Sequence, residues 1–263
     1  MNRLLRNTMD AMGLPSKQQS PDKPITRYRI DILNTDIEID TLLLGLKRHP
    51  HARLCFYGVP GTGKTALGRY IADQLHSSLL VSKASDLLGP HVGETERRIR
   101  NMFQEAKYAG SVLLLDEADS FLRKREHARY SWELTQVNEM LTQMEAFDGV
   151  FICSTNLMDS LDKASLRRFD FKIKFDYLRP GQAWQMFEQI LEEHQYLIEK
   201  PAVWKQRLAG LGNLTPGDFT VAVRQHRLLG RVMDAEWLFD SLAAEVRMKG
   251  EKQKRGIGFL AAV

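Results

Sequence analysis

The stretch GVPGTGKT, residues 58–65, satisfies every fixed position of the pattern G-x-x-x-x-G-K-[ST]. Its glycines let successive backbone N–H groups turn inward around a polyphosphate. The Lys64 ammonium then reaches the β- and γ-phosphates, and the Thr65 hydroxyl is placed to ligate Mg²⁺. Gly58, Pro60, Gly61, Thr62, Gly63, Lys64, Thr65 and Ala66 are therefore candidate nucleotide-binding positions. The flanks agree with this reading. RLCFY, 53–57, is a short apolar strand candidate running into the loop, and ALGRYIADQL, 66–75, continues as a helix with Leu67, Tyr70, Ile71 and Leu75 on one face.

Four more apolar runs follow: SLLVS (78–82), SVLLLD (111–116), GVFICS (149–154) and FKIKF (171–175), separated by helix-length segments. Residues 94–108 carry Ile99, Met102, Phe103 and Ala106 at helical spacing, and residues 132–144 carry Leu134, Val137, Leu141 and Met144 in the same way. Alternation of helices with nearly continuous apolar strands predicts a parallel sheet covered on both faces. FKIKF alternates instead, which suits an edge strand with one wetter face. After Pro180 the strands stop, and helices are expected near 181–194, 202–210, 216–229 and 234–248. The third has a readable start, with Thr215 as cap, Pro216 in the first turn and Asp218 at the capping-box position. The expected organisation is a flexible leader over 1–29, whose residues 15–24 hold three prolines, an α/β part over 30–179 and a small all-helical lid over 180–263.

At 263 residues the chain is long enough to bury a full core, and 43% apolar with 27% charged residues is ordinary for a globular protein. No run approaches the roughly 18 apolar residues of a membrane span and the first residues lack a signal-peptide core, so a cytoplasmic protein is expected. Cys55 and Cys153 both fall in apolar strand candidates, which predicts buried, reduced thiols. A net charge of +4 and the basic cluster Lys249, Lys252, Lys254 and Arg255 fit a solvated tail better than a nucleic-acid site.

A phosphate loop serves many chemistries, so a second motif decides. In SVLLLDEAD, 111–119, Asp116 ends an apolar run where a carboxylate holds Mg²⁺ opposite Thr65. Glu117, one place on, is set to orient and deprotonate an attacking water. GVFICS runs into Thr155 and Asn156; the Asn156 amide is either a turn residue or a contact to the γ-phosphate or the water. Arg167 and Arg168 in LRRFD, 166–170, are either surface charge or arginine fingers for a neighbouring subunit.

GVPGTGKT, LLLDEAD, STN and SLRRFD, in this order and spacing, resemble the AAA+ ATPase family over roughly residues 30–263. VGETERRIRNMFQEA (92–106) and VNEMLTQME (137–145) are similar to helices of its AAA group of ring-forming protein remodellers. The resemblance implies a five-stranded parallel sheet of the phosphate-loop NTPase type, a helical lid, ATP and Mg²⁺ as cofactors, nucleotide at subunit interfaces and commonly a hexameric ring. It implies that Asp116 binds the metal, Glu117 is the catalytic base, Asn156 the first sensor, and Arg167 with Arg168 the fingers. His91 and Val92 in GPHVGE stand at the pore-loop positions, with His91 where an aromatic residue is usual. LTPGD, 214–218, replaces a Ser-Gly-Ala-Asp-like sequence of the lid. The function so implied is Mg²⁺-dependent ATP hydrolysis in a homo-oligomeric ring acting on a protein substrate or adaptor. The alternatives are a nucleic-acid-associated ATPase, such as a loader or a transposition or defence accessory, and a nucleotide-controlled assembly switch.

Overall fold

The computed structural model describes residues 30–121, 131–157, 162–230 and 232–254. The expected leader and Arg255 lie outside the described residues. The strands are β1 (Ala52–Gly58), β2 (Leu79–Lys83), β3 (Val112–Asp116), β4 (Val150–Thr155) and β5 (Phe171–Phe175). They form one sheet in the order β2-β3-β4-β1-β5, and every neighbouring pair is parallel.

The central strands read as continuous apolar runs because successive residues serve two different cores. Leu113 and Leu115 of β3 face one side with Cys55, Phe151 and Cys153. Val112 and Leu114 face the other with Leu54, Phe56 and Ile152. The first core is closed by α4 (Glu94–Ala109) and α5 (Ser131–Ala146), which contribute Ile99, Phe103, Met140 and Met144. The second is closed by α2 (Lys64–Gln74), through Leu67 and Ile71, and by α1 (Ile39–Arg48), through Ile39, Leu42, Leu43 and Leu46. Helix α1 was not expected, although its apolar residues recur at i, i+3, i+4 and i+7.

The edges differ from each other. FKIKF is an edge strand as its alternation predicts, with Phe171, Lys172 and Lys174 exposed and Ile173 and Phe175 buried. Its outer side is covered by residues 34–36: Asp176 N donates to Asn34 O (3.0 Å), Lys174 N donates to Asp36 Oδ1 (2.8 Å), and Thr35 bridges Phe175. This capping removes an open edge. At the opposite edge β2 is only partly buried: Leu80 and Leu79 pack against the first and second cores respectively, whereas Val81 is 41% exposed. Leu134, expected on the apolar stripe of α5, is also at the surface.

Two short helices, α3 (Ala84–Leu87) and α6 (Lys163–Leu166), precede α4 and β5 respectively. The C-terminal helices are α7 (Pro180–Glu193), α8 (Pro201–Ala209), α9 (Pro216–Leu229) and α10 (Ala235–Lys254), the last longer than expected. They share a third core of Trp184, Phe187, Ile190, Phe219, Leu238 and Leu242, into which Ile32 inserts from the start of the described chain. Among the described residues no helix is long and apolar enough to cross a membrane.

Cys55 and Cys153 are register partners on β1 and β4, buried and free. A hydrogen bond with Cys55, reinforced by burial, holds the Cys153 thiol well above its ordinary pKa. A protonated, enclosed thiol is a poor nucleophile. Ellman's reagent is therefore expected to label neither cysteine in the native protein and both in denaturant; rapid native labelling would contradict this burial.

Candidate functional site

Three chain segments meet at the C-terminal edge of the sheet. Leu115, Cys153 and Cys55 lie in register across β3, β4 and β1. The residues that follow them, Asp116, Asn156 and the loop from Gly58, consequently emerge side by side. Gly58 has φ +125, and a Cβ there would lie 2.0 Å from the Phe175 carbonyl oxygen. Only glycine lets the chain leave β1 so close to β5.

Lys64 opens α2 and is 7% exposed. Its Nζ donates to the carbonyls of Gly58 (2.8 Å) and Val59 (2.9 Å) and to Asn156 Oδ1 (2.8 Å). An ammonium has three protons, so this set is complete. Burial lowers its pKa from 10.5 to about 8, against the opposing pull of the Asp116 and Asp119 carboxylates. Thr62 turns its hydroxyl back to the Val59 carbonyl (2.7 Å), which tightens the loop around the lysine.

Thr65 Oγ1 donates to Asp116 Oδ2 at 3.0 Å. The other carboxylate oxygen accepts from Ser154 Oγ and from the Glu117 amide (3.1 Å). A hydroxyl and an oriented carboxylate in contact form a hard-oxygen donor pair, which suits Mg²⁺ held by one or two protein groups with phosphate oxygens completing the shell. Glu117 is exposed and has φ +56, a conformation rare for a residue with a side chain. Its amide is bonded to Asp116 Oδ1, and its side chain is exposed beside that carboxylate.

Ser154 was not singled out from sequence, nor was the pair Asp119 and Thr155, in which the Thr155 hydroxyl donates to Asp119 Oδ1. These small polar residues carry no periodic signal, yet they bind the turn after β3 to the end of β4. Another unforeseen contact comes from α9: Gly217 N donates to Gly61 O at 2.8 Å, joining the C-terminal helices to the phosphate loop. Thr215 and Asp218 meet as their spacing predicts, with Thr215 N donating to Asp218 Oδ2 (2.7 Å).

The remaining candidates sit apart from the loop. Arg167 is exposed, whereas Arg168 is held within its own chain by Glu145 and by the Ala164 carbonyl (3.1 Å). His91 and Val92 project from the surface, Val92 at 87% exposure. The base of their loop is fastened by Arg98, which donates to the carbonyls of Asp86 (3.1 Å) and Leu88 (2.8 Å), and by Gly89 N to Thr95 Oγ1 (3.0 Å).

Fold and site together define a phosphate-loop nucleotide-binding protein. Residues 54–177 match the family model described as "ATPase family associated with various cellular activities (AAA)". Over these residues the chain is similar to the AAA family. It is 34% identical over 152 residues to a putative 26S proteasome regulatory subunit homolog of Methanothermobacter thermautotrophicus, a match covering 56% of this chain and 41% of that one. It is 36% identical over 171 residues to the ATP-dependent zinc metalloprotease FTSH 10, mitochondrial, of Arabidopsis thaliana, covering 61% and 20%. It is 33% identical over 132 residues to a cell division cycle protein 48 homolog of Archaeoglobus fulgidus, covering 48% and 18%. The chain thus spans less than half the length of these relatives. Its fold resembles that of the FIGL-1 AAA domain solved with ADP, at TM-score 0.62 and 22% identity, covering 89% of this chain and 93% of the other.

The depressed Lys64 pKa has a consequence for stability. Between about pH 8 and 10.5 the unfolded chain keeps the Lys64 proton and the folded chain has lost it, so this group makes stability rise with pH across that window. Below about pH 8 the buried charge is a constant cost to the nucleotide-free fold. Urea unfolding of wild type and Lys64→Met at several pH values is expected to show a gain unique to the wild type, on the order of 3 kcal/mol at most. Parallel pH profiles would show that Lys64 is not buried as a cation.

Proposed function

We propose that this chain hydrolyses ATP with Mg²⁺ in a ring of identical subunits and uses the cycle to remodel a protein. The observation that carries the reading is the meeting of Lys64 with Asn156 and of Thr65 with Asp116 within hydrogen-bond distance at one sheet edge, with the exposed Glu117 next to Asp116. In this reading residues 30–179 are the ATPase part and 180–263 the lid. The match to the AAA family model and the likeness to proteasome-regulatory and cell-division-cycle proteins support a protein substrate.

The loop amides from Gly58 to Ala66, with Pro60, Gly61, Thr62 and Gly63 shaping the turn, wrap the phosphates. Lys64 exchanges bonds to its own loop carbonyls for phosphate oxygens, which restores a full charge partner to a buried cation. Thr65 and Asp116 are the residues that would hold Mg²⁺; when bound, that ion neutralises charge on the β- and γ-phosphates. Ser154 fixes the Asp116 carboxylate so that Oδ2 stays turned toward Thr65. Glu117 takes a proton from the attacking water, and Asn156, already bonded to Lys64, orients the γ-phosphate or the water. Arg167 and Arg168 are the fingers that reach the γ-phosphate bound by the next subunit, Arg168 being paired with Glu145 in the single chain. His91 and Val92 contact substrate polypeptide in the central pore.

The nucleic-acid alternative loses part of its basis, because Lys249 of the basic cluster is engaged by Asp218 and is not a free surface charge. An intact Glu117 argues against a pure assembly switch.

Two separable losses test the site. Lys64→Ala is expected to lose nucleotide binding, and Glu117→Gln to bind ATP while turnover falls by about 10²–10⁴. Equal loss of ATP affinity in both would refute these roles. Mixing Arg167→Ala/Arg168→Ala protein with Glu117→Gln protein should restore turnover in mixed rings, since each supplies across one interface what the other lacks. Mixed rings without recovery would misplace the fingers. Unchanged remodelling by His91→Ala and Val92→Ala proteins would remove the pore contact and favour the assembly switch.

A further inference from the structure

We propose that Lys249, on the last helix, is a positioning residue for the phosphate loop. It stands 31 residues from Asp218 in the chain, yet its Nζ lies 2.6 Å from Asp218 Oδ2 and 3.0 Å from the Asn213 carbonyl. Asp218 is 5% exposed, and the same Oδ2 accepts from Thr215 N (2.7 Å) and Thr215 Oγ1 (2.9 Å). A carboxylate this enclosed requires a cation to balance it. Lys249 is that cation, and its second bond restrains Asn213, a non-glycine residue at φ +63. Both ends of the turn that leads into α9 are therefore held by one ammonium.

That turn is the part of the C-terminal helices that touches the nucleotide loop. Gly217 N, one of the first-turn amides for which a helix has no internal acceptor, donates to Gly61 O at 2.8 Å. The approach is backbone on backbone. A Cβ on Gly217 would lie 3.0 Å from Gly61 Cα, and one on Gly61 would lie 3.0 Å from Thr215 Oγ1. No side chain intervenes to absorb a displacement, so any shift of the α9 start is transmitted to the loop between Pro60 and Thr62. Lys249 sets where that start lies, and it couples α10 mechanically to the phosphate site without touching the phosphates.

The inference rests on the reading of residues 58–65 as the nucleotide site, but its first readout needs no nucleotide. Hydrogen exchange of the Gly217 amide is measured in wild type, Lys249→Arg, Lys249→Met and the double variant Lys249→Met/Asp218→Asn. The double variant removes the uncompensated carboxylate, so instability from a buried charge does not obscure the result. Losing a charge-assisted bond is expected to speed Gly217 exchange about tenfold in both Met-containing variants and to weaken ADP binding by a similar factor. Lys249→Arg, which retains charge and reach, stays close to wild type, and the urea midpoint of the double variant changes little. Unchanged Gly217 exchange in the double variant would overturn the brace. Faster exchange with unaltered ADP affinity would overturn its role in positioning the loop. A wild-type protein that binds no ADP would overturn the nucleotide reading itself, with exchange still deciding the brace.

Discussion

Parallel pairing of β1, β3 and β4 is the constraint from which the site follows. Because the three strands run the same way and Cys55, Cys153 and Leu115 share a register, the chain leaves all three at one edge. Lys64, Asn156 and Asp116 come from positions up to 92 residues apart and still meet within hydrogen-bond reach. An antiparallel neighbour would have sent one of these ends to the opposite edge. The register is secured by two cores of opposite side chains, each fully buried large residue contributing roughly 1.5–3 kcal/mol. A slip of one residue would exchange Leu113 for Leu114 between those cores and move Asp116 out of line.

Upon this frame the site concentrates charge that only partly balances. Lys64 is buried at the cost of a lowered pKa, Asp116 spends both oxygens on neutral or weak donors, and Glu117 occupies a backbone conformation that most residues avoid. Each arrangement is less comfortable than a fold alone would need. A polyphosphate and a divalent cation would relieve the first two together, supplying anions to Lys64 and a positive partner to Asp116. Strain of this kind at one edge, beside three well-filled cores, is what a site held ready for ligand looks like in energetic terms.

Much of this was legible in the sequence because its signals are local. The five strands were found since each is either apolar on both faces or strictly alternating, and the loop since G-x-x-x-x-G-K-T is contiguous. Apart from helix α1, what escaped has no local signature. β2 reads as apolar as β3, and only its place in the strand order leaves Val81 at the surface. Helix α1 had the correct spacing but stands before the first motif, where nothing prompted the reading. Ser154 and Asp119 are single polar residues whose use depends on partners 38 and 36 positions away. Lys249 looked like one charge in a basic tail, and the adjacent arginines looked equivalent, until the third dimension gave Lys249 a buried partner and paired Arg168 with Glu145 while leaving Arg167 exposed.

The central claim is that the sheet edge holds a nucleoside triphosphate through Lys64 with a metal shared by Thr65 and Asp116. Calorimetric titration of the intact chain with ATP, in Mg²⁺ and again in EDTA, tests it most directly. The account predicts one nucleotide per chain and clearly tighter binding with Mg²⁺. An absence of binding heat at saturating ATP, or an affinity indifferent to Mg²⁺, would contradict it.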